Sequence, residues 1–303
     1  MEPIDHVPEE LQTVRDLVRY AASRFNEGGL VFGHGTDNAL DEAAALVLHV
    51  LHLPVDLPDG YWEAKLTRSE REAVMARVRR RIEERLPLPY ITHEAWFAGL
   101  PFYVDRRVLV PRSPLAEWIE QGFQPWLDPD AVERVLDIGT GSGCIAIACA
   151  YAFPDACIDA TDADADALEV AAINVQRHQV ADRVALLRSD LFEGVPKERY
   201  QLIISNPPYV DRDEMERLPP EYRREPRTAL AAGEDGLDVV RRMLAGAGGY
   251  LAEDGVLIVE VGYSAEALEY AFPDVPFLWL ELERGGHGVF MFTLQQLREA
   301  GFC

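Results

Sequence analysis

Val135-Leu136-Asp137-Ile138-Gly139-Thr140-Gly141-Ser142-Gly143 is the stretch on which the fold turns. Its first four residues form an apolar run of strand length. The glycines behind them let the chain turn into a helix from Cys144 through Tyr151. The same order repeats downstream. A second strand over 157–161 ends at Asp162, and a helix over about 164–178 follows it. A third strand over 184–187 ends at Ser189-Asp190-Leu191-Phe192, and a fourth over 202–204 leads into Asn206. A helix over about 236–250, a strongly strand-like run at 256–261, and two further runs at 277–280 and 289–292 complete the pattern. Alternating strands and helices imply an α/β fold with a parallel sheet covered on both faces. The last pair has no helix between its members, which implies an antiparallel edge.

The glycine loop lies where a first strand becomes a first helix. There the backbone can approach a ligand closely, and the helix start offers free N–H groups. Asp162, about twenty residues on, stands where a carboxylate takes the hydroxyls of a ribose. Asp190 is placed to accept from an adenine amino group, with Leu191 and Phe192 as walls for the base. A nicotinamide dinucleotide would want glycine at the sixth position of G-x-G-x-x-G, which here is Cys144, with Gly143 one residue early. The spacing therefore favours S-adenosylmethionine, with S-adenosylhomocysteine as product. Its candidate contacts are Asp137, Gly139, Thr140, Gly141, Ser142, Gly143, Asp162, Asp190, Leu191, Phe192 and Asn206. A nucleotide fold with an inactive pocket is the bland alternative.

The fourth strand stops at Ser205-Asn206-Pro207-Pro208-Tyr209. Two prolines lack backbone donors and fix their own φ, so the chain leaves the sheet stiff and extended. Three features are thereby held in place: the Asn206 amide, the Pro207 carbonyl and the Tyr209 ring. An amide oxygen and a nearby carbonyl can both accept from one planar NH2 group, and an aromatic face can cover it. Asn206 and Pro207 are the candidate catalytic residues, and Asn206, Pro207, Pro208 and Tyr209 the candidate substrate-binding ones. A strand that simply ends in a Pro-Pro turn is the alternative.

Before this region, apolar residues at helical spacing predict helices over about 9–26, 38–51 and 67–85, with Asn38 and Thr67 near the starts of the last two. Residues 1–92 form a small helical domain on this reading. Residues 93–112 form a β-hairpin linker, built on the runs 96–104 and 107–111 around Gly99-Leu100-Pro101 and Asp105-Arg106, and 113–303 form the α/β domain. Arg79, Arg80, Arg81 and Arg85 favour a helix C-terminus and read as a solvated face, with contact to RNA or an acidic surface as the alternative. His49 and His52 lack a third ligand and receive no role. The segment 211–235 is rich in acids, arginines and prolines. It is either a solvated loop or a flap over the substrate, with Arg223, Arg224 and Arg227 as candidate contacts.

The chain has 303 residues, 48% hydrophobic and 27% charged, the composition of a soluble globular protein. A formal net charge of -23 argues against non-specific phosphate binding and suits a basic protein partner. Simple solubility would also account for it. Cys144, Cys149, Cys157 and Cys303 form no CxxC pair, and no histidine completes a zinc site, so no metal is expected. They read as reduced thiols in a cytoplasmic protein. Met1-Glu2-Pro3-Ile4-Asp5 lacks the features of a signal peptide, and no apolar run is long enough to span a bilayer.

Residues 137–143 together with Asn206-Pro207-Pro208-Tyr209 resemble the protein N5-glutamine methyltransferases. The resemblance extends to Glu225-Pro226, Ala229-Leu230, Gly233 and Asp235-Gly236-Leu237, and covers nearly the whole chain. One branch of that family acts on peptide chain release factors, the other on large-subunit ribosomal protein uL3. The release-factor branch usually carries Val-Pro-Arg-Pro-Glu-Thr-Glu after the hairpin. Here the segment reads Val110-Pro111-Arg112-Ser113-Pro114-Leu115-Ala116-Glu117. That departure, with Phe32-Gly33-His34-Gly35-Thr36-Asp37-Asn38-Ala39, is similar to the ribosomal-protein branch. The resemblance implies a Class I methyltransferase sheet of seven mostly parallel strands, doubly wound, and a helical N-terminal domain for substrate contact. It also implies transfer of a methyl group to a glutamine side-chain nitrogen of uL3, free or within a ribosome assembly intermediate. Methylation of release factors or of an exocyclic base amine, and a non-catalytic docking role, remain as alternatives. The acidic charge weighs against the nucleic-acid reading.

Overall fold

A computed structural model describes residues 9–302. The extreme N-terminus read for a signal peptide, and Cys303, lie outside the described residues. The chain divides into two compact units. One runs to Glu94 and also takes in Leu218–Arg224; the other comprises Ala95–Arg217 and the chain from Glu225 onward.

In the helical unit, α1 (Val14–Glu27), α2 (Ala39–Val50), α3 (Arg68–Glu83) and the short α4 (Leu88–Thr92) pack on one another. Thr13 and Thr67 start α1 and α3 with reciprocal caps to Asp16 and Glu70, and Asn38 caps α2 by accepting from Leu40 and Asp41. Leu17, Ala21 and Phe25 of α1 form the core with Ala43, Leu46 and Val47 of α2 and Val74, Val78 and Ile82 of α3. Arg80 meets the expectation of a solvated face, being exposed and paired with Glu84 at 3.0 Å, but Arg81 corrects it. Arg81 is fully buried. Its Nε donates to Glu42 at 2.6 Å, its Nη1 to Glu221 at 3.4 Å and its Nη2 to the Val31 carbonyl at 3.0 Å. Glu221 lies in 218–224, so part of the segment read as a loop or flap is packed into the helical unit. Its carboxylate also takes Arg85 at 3.1 Å and the Val31 N–H at 3.2 Å.

The second unit opens with a hairpin, β1 (Ala95–Phe97) and β2 (Leu100–Phe102), turning at Ala98-Gly99 with positive φ at both residues. The expected second arm at 107–111 is not a strand. Asp105 instead gathers the Arg107 N–H, the Arg107 guanidinium and the Tyr103 hydroxyl, which closes a side-chain turn there. After α5 (Leu115–Glu120) the alternation runs β3 (Arg134–Ile138), α6 (Cys144–Ala152), β4 (Cys157–Asp162), α7 (Ala165–Arg177), β5 (Val184–Arg188) and β6 (Tyr200–Ser205). Then come α8 (Arg212–Arg217), α9 (Asp238–Ala247), β7 (Leu251–Glu260), α10 (Ala265–Ala271), β8 (Leu278–Trp279), β9 (Val289–Thr293) and α11 (Leu294–Glu299).

Seven strands form one sheet in the order β5-β4-β3-β6-β7-β9-β8. Neighbours are parallel from β5 to β7, and β9 runs antiparallel to both β7 and β8. This is the Class I methyltransferase sheet. Successive residues alternate between its two cores. Val135, Leu202 and Ile204 pack with α5–α7, and Leu136, Ile203 and Leu257 with α9–α11. Successive crossovers run outward from β3 on one side and from β6 on the other. The crevice at the carboxyl ends of β3 and β6 is therefore the place where such a sheet binds ligands.

Candidate active site

The glycine loop is stapled to β4. Gly139 and Thr140 both donate N–H to the Thr161 carbonyl at 2.8 Å, and Gly141 donates to Asp162 Oδ2 at 2.9 Å. A side chain at Gly141 would be strained by its φ of 55° and would project into open space. Gly143 serves a different purpose: a Cβ there would sit 3.3 Å from Ala171, where α7 crosses closely. Beneath the loop Asp137 is fully buried. Its Oδ2 accepts from the Thr140 hydroxyl at 2.6 Å and the Ala146 N–H at 3.1 Å, while Oδ1 finds no partner among the described residues. Burial pushes its carboxyl up to about 7, against those two bonds, and Asp162 adds to the rise. Asp162 is also raised by burial, although the N–H groups of Asp164 and Gly141 hold it back.

A cavity of about 570 Å³ opens over this loop. Gly139, Thr140, Gly141 and Ser142 line it from β3, Asp162 from β4, Asp190 and Leu191 from β5, and Asn206, Pro207 and Pro208 from β6. Asp137 and Gly143 support the loop from behind. Phe192, expected to wall a base, does not line the cavity. Its ring stacks on Tyr250 at 4.9 Å and packs so closely on Gly246 that a Cβ there would come within 2.6 Å. Of the two expected walls, Leu191 lines the cavity. Asp190 is half-exposed and paired with Arg242 at 2.9 Å. Cys144 also lines the cavity, but burial pushes its thiol up to about 12, so it is not a nucleophile.

A second cavity, of about 350 Å³, lies on the far side of the Asn-Pro-Pro-Tyr corner. Tyr209, Glu260, Tyr263 and His287 line it. Asn206 and Pro207 line both cavities, as do Leu109, Arg112 and Ala229. The corner is therefore the wall through which the two spaces meet. Ser205 anchors it by donating to the Ile138 carbonyl at 2.6 Å. The Tyr209 carbonyl accepts from Ser264 at 2.6 Å.

Two acids that shape the site were not singled out from the residues. Buried Glu225 takes the Arg112 guanidinium through both oxygens, at 2.6 and 2.9 Å, and accepts the Val110 N–H at 3.0 Å. Glu260, at the end of β7, accepts from Ser113 and Tyr209. The signal for Glu260 was a single acid within the otherwise apolar run 256–261. Arg223, Arg224 and Arg227 are exposed, and Arg223 donates to the Leu218 carbonyl at 2.8 Å. Among the described residues no cluster of His, Cys, Asp or Glu could hold a metal ion, and no helix is long and apolar enough to cross a membrane.

A methyltransferase small domain model matches residues 123–218. The chain is 52% identical over 290 residues to the ribosomal protein uL3 glutamine methyltransferase of Bordetella pertussis, covering 95% of this chain and 97% of that protein. It is 51% identical over 290 residues to the protein of the same name from Neisseria meningitidis serogroup B, covering 95% of each. Among solved structures, a methyltransferase from Pyrococcus furiosus is similar at 20% identity and a TM-score of 0.45, over 64% of this chain and 88% of that one. With half its residues shared across almost its whole length, this chain belongs to the family of ribosomal protein uL3 glutamine methyltransferases.

Proposed function

We propose that this protein transfers a methyl group from S-adenosylmethionine to the side-chain amide nitrogen of a glutamine in ribosomal protein uL3. The observation that carries the reading is that Asn206 and Pro207 line both cavities at once. A donor held in the larger space and an amide held in the smaller one would meet beside that wall, which Leu109, Arg112 and Ala229 share.

The larger cavity fits the cofactor. Gly139 and Gly141 present open backbone where a Cβ would meet nothing within 4 Å. Asp162 keeps lone pairs for ribose hydroxyls beyond those bound by Gly141 and Asp164. Leu191 offers an apolar wall to the base, and Asp190 an acceptor beside it. When bound, S-adenosylmethionine supplies an electrophilic methyl carbon on a sulfonium. A glutamine amide nitrogen is a poor nucleophile, because its lone pair is shared with the carbonyl. The Asn206 side chain and the Pro207 carbonyl would accept hydrogen bonds from its two N–H groups, both strengthening as the nitrogen becomes tetrahedral, and the methylated nitrogen would then release one proton to water. Pro208 keeps the corner rigid and Tyr209 covers the amide plane. The remaining contribution is alignment of nitrogen, carbon and sulfur. No base is required before transfer.

The charge of -23 suits a basic ribosomal protein as partner, and the free thiols Cys144, Cys149 and Cys157 suit a cytoplasmic setting. The helical unit is the surface we assign to that partner, whether uL3 is free or in an assembly intermediate. Labelled S-adenosylmethionine incubated with uL3, a release factor or naked RNA tests the assignment: label should enter uL3. Label on the release factor alone, or on RNA alone, would reassign the substrate. Asn206→Ala should lower turnover by about 10²–10³-fold, the loss typical of one preorganised transition-state partner. Cofactor affinity should stay close to that of the unmodified protein. Equal losses of both would mean that Asn206 maintains the pocket instead.

A further inference from the structure

We infer that Glu260 is a positioning residue for the acceptor amide, acting through the Tyr209 ring; the inference rests on the amide-methylation reading above. Parallel pairing of Ser205 with Val259 brings Glu260 beside Asn206 at the carboxyl ends of β6 and β7. The Glu260 side chain is buried, yet it lines the smaller cavity. Its Oε1 accepts from the Tyr209 hydroxyl at 3.1 Å, and its Oε2 from the Ser113 hydroxyl at 2.5 Å. Ser113 Oγ in turn accepts the Leu115 N–H at 3.2 Å, which leaves its proton directed at Glu260.

Tyr209 is thus restrained at three points. Ser264 holds its carbonyl, Glu260 holds its hydroxyl, and Gly262 lies so close to the ring that a Cβ there would come within 2.8 Å. Packing alone does not call for this. A phenylalanine facing a leucine would fill similar space without burying a charge, and buried charges are commonly no better for stability than an apolar replacement. Arg112 acts on Glu260 electrostatically, but its guanidinium is bonded to both oxygens of Glu225. The carboxylate therefore rests on two hydroxyl donors, one of which is the residue that covers the substrate amide. What the charge supplies is a fixed direction for the Tyr209 hydroxyl, and hence a fixed ring plane against the Asn206-Pro207 wall.

This arrangement has a pH signature. Burial pushes the Glu260 carboxyl above its ordinary value, and Ser113, Tyr209 and Arg112 hold it back. Once protonated it no longer accepts from both hydroxyls. Turnover should therefore fall as pH drops through that raised value. Arg112, Tyr209, Tyr263 and His287 are the other titratable groups lining the cavity. The limb belongs to Glu260 if it is absent in Glu260→Gln and persists in His287→Gln.

Glu260→Gln, Tyr209→Phe and the double variant, assayed on uL3 beside the unmodified protein, form the test. Glu260→Gln should lower kcat by about 10–100-fold, the scale expected when a reacting group is slightly misplaced. Cofactor affinity should change by no more than about twofold, since Glu260 does not line the larger cavity. Because Glu260 acts through Tyr209, the double variant should be no worse than the poorer single one. Unchanged kcat in Glu260→Gln, or single losses that multiply in the double variant, would overturn the inference. If Glu260→Gln fails to fold by circular dichroism, Ser113→Ala, which removes one donor only, must still lower kcat; unmodified turnover there is equally fatal. An unmodified protein that leaves uL3 unlabelled would instead sink the amide-methylation reading, which the same assay reports separately.

Discussion

Glu221→Ala should release residues 218–224 from the helical unit. Two guanidinium groups, Arg81 and Arg85, share two carboxylates there, Glu42 and Glu221. Losing one partner of a buried pair costs about 3–5 kcal/mol when the other charge is stranded. Here the loss is smaller for three reasons. Arg81 keeps Glu42 and the Val31 carbonyl. Arg85 is 29% exposed and keeps the Gly28 and Gly29 carbonyls at 2.6 and 2.8 Å. Glu221 Oε2 is buried without a partner among the described residues, a cost that its removal relieves. About 2 kcal/mol is the resulting expectation. Urea unfolding should show a lower midpoint with little change in slope. Proteolysis should cut within 211–235 well before the rest of the chain. Glu221→Gln, which keeps the shape and one acceptor, should fall between the two. The pH dependence has a definite sign. Burial raises the Glu221 carboxyl, but the Val31 N–H, Arg85 and Arg81 overcome this and hold it below its ordinary value. Its contribution is therefore present above the unfolded value of about 4.3 and is lost as pH falls through the lower folded one. An unchanged midpoint together with an unchanged proteolytic pattern in Glu221→Ala would refute the anchoring role.

Three further outcomes follow from the site. Asp162→Ala should weaken cofactor binding by about 10–100-fold in calorimetry, the scale of lost hydrogen bonds to a charged group; unchanged affinity would remove its ribose role. Gly262→Ala places a Cβ 2.8 Å from the Tyr209 ring at a φ of 46°, so uL3 methylation should fall while cofactor affinity holds. Equal activity in both proteins would mean that the ring is not pinned there. Asp137, raised to about 7, is favoured protonated in the folded state. Its contribution to stability should therefore decline as pH rises from about 4 to about 7, and a melting series of Asp137→Asn should lack that slope.

The legible parts of this molecule are those whose signal is local. Strands β3 and β6 announce themselves because both faces are covered, which makes each a short continuous apolar run. The caps at Asn38 and Thr67 lie within three residues of the N–H groups they bond. The glycine loop and the Asn-Pro-Pro-Tyr corner each hold their chemistry within a few consecutive residues. The hairpin was legible at its turn but not in its second arm, because Asp105 can close a turn that hydrophobicity alone does not register. Phe192 fits the description of a base wall in sequence, but Tyr250, 58 residues away, captures its ring and carbonyl.

The acids whose partners could not be read from the sequence share a cause. Glu221 meets Arg81 across 140 positions, Glu225 meets Arg112 across 113, and Glu260 meets Ser113 across 147. A net charge of -23 invites the reader to place every acid on the surface. In this fold Glu42, Glu221, Glu225 and Glu260 are all buried. Burying a carboxylate is costly unless donors meet it, and donors from distant segments can meet it only if the chain has already adopted one arrangement. Each such acid therefore acts as a condition on tertiary structure. Glu221 ties 218–224 to the helical unit, Glu225 fixes Arg112 beside both cavities, and Glu260 orients the ring beside Asn206. The local motifs state which chemistry is available, whereas these long-range carboxylates set the distances at which it can occur.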